Sequence, residues 1–153
     1  MKNQLTPHFT LAEATHSDTA KSRGLSNQPN EQEYANILFA ASKMETIRND
    51  ILGGNACLIL SWFRSLVVNR AVGGSSTSDH MSGLSIDFIC PKFGSVKQVC
   101  EAIEKSDLEF DQLIYEQSSN GGWVHIGFGP RMRRQVLSKR SGNPKYFNGI
   151  IDI

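Results

Sequence analysis

The sequence predicts an α+β domain in which helices pack around a small antiparallel sheet, and three observations carry that prediction. Apolar residues recur at helical spacing in the first third of the chain and again after residue 95. Short apolar runs bounded by glycine, proline and serine lie between and beyond them, and two of these runs sit close enough to form a hairpin. The regular strand–helix alternation of a wound parallel sheet is missing. With 153 residues, 39% of them hydrophobic and 20% charged, the chain fits one domain over 1–153, with a core over about 5–137 and a C-terminal tail over 138–153.

The elements follow in order. Thr10 with Glu13 is a capping box, because a hydroxyl at the cap accepts the N–H three residues on and the acid there returns the bond. A short helix therefore starts at residue 11 and frays over 17–20, before a turn-rich stretch over 21–29. Asn30 with Glu33 repeats the signal, and Tyr34, Ile37, Leu38, Ala41, Met44, Ile47 and Ile51 mark the main core helix, which Gly53-Gly54 stops. Residues 57–61 read as a buried strand and 65–72 as a short helix closed by Gly73-Gly74, after which comes a polar loop over 75–82. Residues 85–89 form a strand between Gly83 and Pro91, with Asp87 on the face opposite Ile86 and Phe88. Ser95 and Gln98 open another helix, with Val96, Val99, Cys100 and Ile103 inward. Residues 112–116 and 123–128 read as a hairpin, and Glu116 shares a sheet face with His125 if it faces an odd-numbered partner. Beyond Pro130, five cations (Arg131, Arg133, Arg134, Lys139 and Arg140) read as a solvated face.

A formal net charge of +1 gives no global reason to expect nucleic acid as a partner, and the basic run lacks the aromatic interleaving of a nucleic-acid site. Cys57, Cys90 and Cys100 form no CxxC pair and read as buried thiols. Neither a signal-peptide run nor about 18 consecutive apolar residues occurs, so synthesis in the cytoplasm without membrane insertion is expected.

Chemistry concentrates in two places. Ser78-Asp79-His80 is followed by Gly83, Ser85 and Asp87, and Trp123-Val124-His125 comes 38 positions after Asp87. His80, Asp87 and His125 are the two imidazoles and one carboxylate that a catalytic zinc site requires, with a fourth position left open. Taken singly, each residue has an ordinary structural explanation; their convergence is what points to a hydrolase. No HExxH helix and no GxSxG elbow competes with this reading.

These motifs resemble the zinc D-alanyl-D-alanine carboxypeptidases, a family that includes phage endolysins and hedgehog-like domains. Ser61-Trp62-Phe63-Arg64-Ser65, with Asn69 behind it, is similar to the family's Ser-Gly-Tyr-Arg-Ser block; residues 5–13 and 110–116 look like a phage and prophage branch. The resemblance implies a hedgehog/DD-peptidase-like fold and one Zn2+ per chain on His80, Asp87 and His125. It also implies cleavage of peptidoglycan stem peptides at a D-alanine-containing bond, by a carboxypeptidase or endolysin-type endopeptidase. Arg64 is then expected to steady the oxyanion or the substrate, Ser78 and Trp123 to contact substrate, and Glu116, or second to it Asp111, to act as general base. Action at the bacterial cell wall follows, with delivery by a phage particle or through holin lesions. Two departures stand out. Gly122 occupies the position where many members carry the base, which leaves open a catalytically inactive, zinc-bearing wall-binding or virion module. Trp62 replaces the usual glycine, so a narrower or differently stacked pocket beside Arg64 is expected.

Overall fold

A computed structural model describes residues 1–153. A two-stranded ribbon, β1 (Gln4–Thr6) and β2 (Phe9–Thr10), leads into α1 (Leu11–Thr15). The capping box is complete: Glu13 N–H donates to Thr10 Oγ1 at 3.2 Å, and the Glu13 carboxylate accepts the Thr10 N–H at 3.0 Å. The chain does not fray after α1. Ser17 accepts the Ala20 N–H at 3.1 Å and starts α2 (Asp18–Arg23), which ends on Gly24 at φ 65. Ala20 stands where a capping box has its acid, so the sequence signal is only half present there.

α3 (Glu31–Thr46) is capped as expected by Asn30 and Glu33, and its Ile37, Ala40, Ala41 and Met44 are fully buried. Its last turn widens into a π turn over Ile47–Ile51. α4 (Leu66–Ala71) and α5 (Val96–Lys105) start at Ser65 and Ser95. No helix is long and apolar enough to cross a membrane.

The expected small sheet is larger than that. Six strands run in the order β3 (Leu58–Ser61), β4 (Ser85–Ile89), β6 (Trp123–Gly127), β5 (Gln112–Gln117), β7 (Gln135–Arg140), β8 (Tyr146–Asn148), and β5–β7 is a parallel pair within an otherwise antiparallel ladder. The residues read as a solvated basic face and a tail thus supply two strands. Ser138 is fully buried, donating to the Gly149 carbonyl at 2.7 Å and accepting the Ile151 N–H at 2.9 Å. Arg134 is structural, lying over the Phe110 ring at 4.7 Å and donating to the Leu108 carbonyl at 3.2 Å. β3, read as a buried strand, is an edge strand, and its Leu58 and Leu60 are each 49% exposed. Apolar density alone does not distinguish an edge strand from a central one.

Strand alternation gives the sheet two chemically different faces. Ile86, Phe88, Leu113, Tyr115, Val124 and Ile126 point to the core and join Ile37 and Met44 of α3 and Val99 and Ile103 of α5 in one cluster. Burying a side chain of this kind is worth about 1.5–3 kcal/mol. The opposite face carries Ser85, Asp87, Gln112, Ile114, Glu116 and His125.

Candidate metal centre

Asp87 and His125 are direct partners across the β4–β6 ladder, which places both side chains on the face away from the core. His80 reaches them from a 3-10 turn, Asp79–Ser82, whose cap Ser78 accepts the His80 N–H at 3.2 Å. The turn closes on Gly83 at φ 84, where an added Cβ would lie 2.7 Å from Ile37 Cγ1 and 3.2 Å from the Glu33 carbonyl. Glycine therefore lets the turn seat against α3.

The buried His80 ring donates its Nδ1–H to the Trp62 carbonyl at 2.6 Å, which fixes the tautomer and leaves Nε2 facing Asp87 Oδ2 at 3.4 Å. His125 Nδ1 meets Asp87 Oδ1 at 2.8 Å. One donor atom from each of the three residues lies within 4.8 Å of the others. Tetrahedral zinc, with bonds of about 2.0–2.2 Å, needs donors roughly 3.3–3.6 Å apart, so the trio has the right chemistry for that ion and comes within about an ångström of its spacing.

Electrostatics agree. Burial pushes the Asp87 carboxyl up, but the charge of His80 and hydrogen bonds from His125 and His80 prevail and hold it well below the usual carboxylate range. Burial lowers His125, but its bond to Asp87 outweighs that and the net shift is upward. Arg64 Nη2 stands 4.0 Å from Asp87 Oδ2.

Glu116 faces Trp123 across the hairpin and Ile114 faces His125, so Glu116 lies one step along the same sheet face from the histidine. Both line a polar cavity of about 360 Å³ together with Ser78, Asp79, Arg131 and Arg133. Burial, and then the nearby Asp87 charge, raise the Glu116 carboxyl above its ordinary value. Asp111 is engaged elsewhere: its carboxylate, 1% exposed, takes Arg133 Nε at 2.8 Å, Nη2 at 3.1 Å and the Arg133 backbone N–H at 3.1 Å. At Gly122, φ is +78 and an added Cβ would lie 2.0 Å from the Glu116 carbonyl. No side chain fits there, acidic or otherwise.

Arg64 follows β3; its backbone N–H bonds the His80 carbonyl at 3.0 Å and its Nη1 donates to Asn69 Oδ1 at 3.4 Å. It lines a second cavity of about 160 Å³ with Ser61 and Leu60. Trp62 does not narrow that space. Fully buried, it donates Nε1–H to the Gly83 carbonyl at 3.0 Å and meets Phe9 edge-on at 6.3 Å. Trp123 lines neither cavity, and its Nε1 is buried without a partner. Two contributors to the site escape sequence reasoning as functional residues. Asn69, 2% exposed, holds Arg64 while donating to the Ser75 carbonyl at 3.0 Å; Tyr146 reaches the cavity from β8.

The family model described as Peptidase M15 matches residues 7–127. The chain belongs to the peptidase M15 family. Its match spans all three candidate ligands, Arg64 and Glu116. M15 peptidases of this D-alanyl-D-alanine carboxypeptidase type are zinc metallopeptidases that act on peptidoglycan, and in this member His80, Asp87 and His125 form a cluster that could hold a metal ion. A search of curated proteins found no match.

Proposed function

We propose that this M15 peptidase hydrolyses a D-alanine-containing bond in peptidoglycan stem peptides, with His80, Asp87 and His125 holding zinc and Glu116 acting as general base. The observation that carries the reading is the position of Glu116. Its carboxyl shares the cavity with His125 and sits on the same sheet face as two of the three ligands. Zinc bound there supplies the Lewis acidity that brings the pKa of a water from about 15.7 toward 7.

The protein's own residues do the rest. Glu116, raised by burial, takes the proton of the attacking water and returns it to the leaving amine. Arg64, held by Asn69, turns a permanently charged guanidinium toward the site and offers donors to a developing oxyanion. His80 keeps its Nδ1–H on the Trp62 carbonyl, so Nε2 is the nitrogen that would lose its proton to offer a metal its lone pair. The inactive-module alternative rested on the missing acid at 122. Position 122 is sterically closed and a carboxyl is present at 116, which removes that support.

The test is digestion of purified peptidoglycan by the zinc-loaded protein, with and without a chelator, beside Glu116→Gln. Wild type should release stem-peptide fragments in a chelator-sensitive manner. Glu116→Gln should retain its zinc and lose about 10²- to 10⁴-fold in turnover. Undiminished turnover in the variant would place the base elsewhere, and zinc-loaded wild type that leaves the wall intact would restore the inactive-module reading.

A further inference from the structure

The larger cavity carries four charged residues, of which the proposed hydrolysis uses only Glu116. Its acids are Asp79 and Glu116 and its cations are Arg131 and Arg133. Arg133 is bound to Asp111 through both its side chain and its backbone. Arg131 is different: it is exposed, and its guanidinium makes neither an ion pair nor a hydrogen bond. Its charge helps to lower Asp111, whereas the leading charges on Glu116 are Asp87, His125, Lys139 and His80.

The loop that presents Arg131 is built rather than loose. Met132 and Arg134 sit at φ 43 and φ 52, a conformation that non-glycine residues rarely adopt and that persists only where the surroundings enforce it. The enforcement is visible. Arg133 grips Asp111, Arg134 stacks on Phe110 and bonds main-chain carbonyls, and Met132 N–H closes on the Gly129 carbonyl at 3.2 Å. An unpaired, exposed guanidinium is thereby carried on an anchored loop and lines a cavity that also holds the general-base candidate and a metal-ligand candidate.

We infer that Arg131 reads a free carboxylate on the peptide substrate, making it a specificity-determining residue that favours acidic stem peptides over amidated ones. This rests on the proposed function for the identity of the substrate. A guanidinium fork matches a carboxylate in shape and charge, whereas a primary amide in the same place offers one neutral acceptor and brings its own N–H donors against the cation.

The experiment uses the zinc-loaded full chain and a pair of stem peptides that differ only in one side-chain or α-carboxylate, free in one and amidated in the other. Wild type should favour the free acid about tenfold in kcat/KM, chiefly through KM. Arg131→Gln should erase that preference by weakening the free acid alone, and Arg131→Lys should keep part of it. Equal loss on both peptides, or no preference in wild type, would overturn the inference. If wild type cleaves neither peptide, the proposed function fails and the inference is read from binding instead. Fluorescence anisotropy of the labelled pair should then show tighter binding of the free acid that Arg131→Gln removes, and equal affinities would refute it.

Discussion

Gly122→Ala is the substitution that most sharply links the backbone to the chemistry. An L-residue at φ +78 costs about 1–2 kcal/mol before any contact is counted. The new methyl would lie 2.0 Å from the Glu116 carbonyl and 3.0 Å from Gln117 Cα. Reaching an ordinary contact of about 3.4 Å from that carbonyl therefore requires a shift of about 1.4 Å, and it must come from main chain on both sides of the hairpin. Overpacking of this kind typically costs about 1–3 kcal/mol. The total, about 2–5 kcal/mol, corresponds to a fall in Tm of about 4–20 °C for a chain of this size. Because the displaced strand carries Glu116, turnover should fall further than zinc content. Calorimetry with metal analysis and peptidoglycan digestion on one preparation reads all three quantities. A variant with wild-type Tm and turnover would refute the steric argument. Likewise, Gly122→Glu should not rescue Glu116→Gln; rescue would show that an acid at 122 can serve after all.

The remaining predictions are simpler. Because burial lowers the His125 pKa but its bond to Asp87 outweighs that and sets it above its ordinary value when no metal is bound, protons compete with a metal for this imidazole from a higher pH than at an unperturbed histidine. Zinc affinity should be full above that raised pKa and drop about tenfold per pH unit below it from this ligand alone, as read by competitive chelator titration; a flat profile down to the ordinary histidine range would contradict the assignment. Trp62→Ala removes a fully buried indole and should cost about 3–5 kcal/mol in denaturant unfolding. Trp62→Phe keeps most of the packing but leaves the Gly83 carbonyl without its donor, for about 1–3 kcal/mol. If both variants melt like wild type, Trp62 is not the support beneath the His80 turn.

What was legible in the sequence was local. Thr10 with Glu13, Asn30 with Glu33 and Ser95 with Gln98 each pair a cap with its return partner three residues on, and all three helices begin there. Asp87 on the polar face of β4 follows from period-two alternation alone. The face of Glu116 required the register of the hairpin, which the residues of its loop do not determine. β7 was hidden because its charges read as solvation and β8 because it lay in the stretch read as a tail, whereas Lys139 lies over Tyr146 and Arg134, just before β7, over the distant Phe110, a pairing that leaves no periodic trace. Asp111, the second-ranked base candidate, is occupied by Arg133, a partner that the sequence does not reveal.

Metal analysis of the purified protein and its ligand variants tests the centre most directly. One zinc per chain is expected for wild type, with a loss of most of it in His80→Ala, Asp87→Ala and His125→Ala under the same loading, while each variant keeps its native circular dichroism. A folded His80→Ala protein that still carries a full equivalent of zinc, or wild type that binds none, would contradict the assignment.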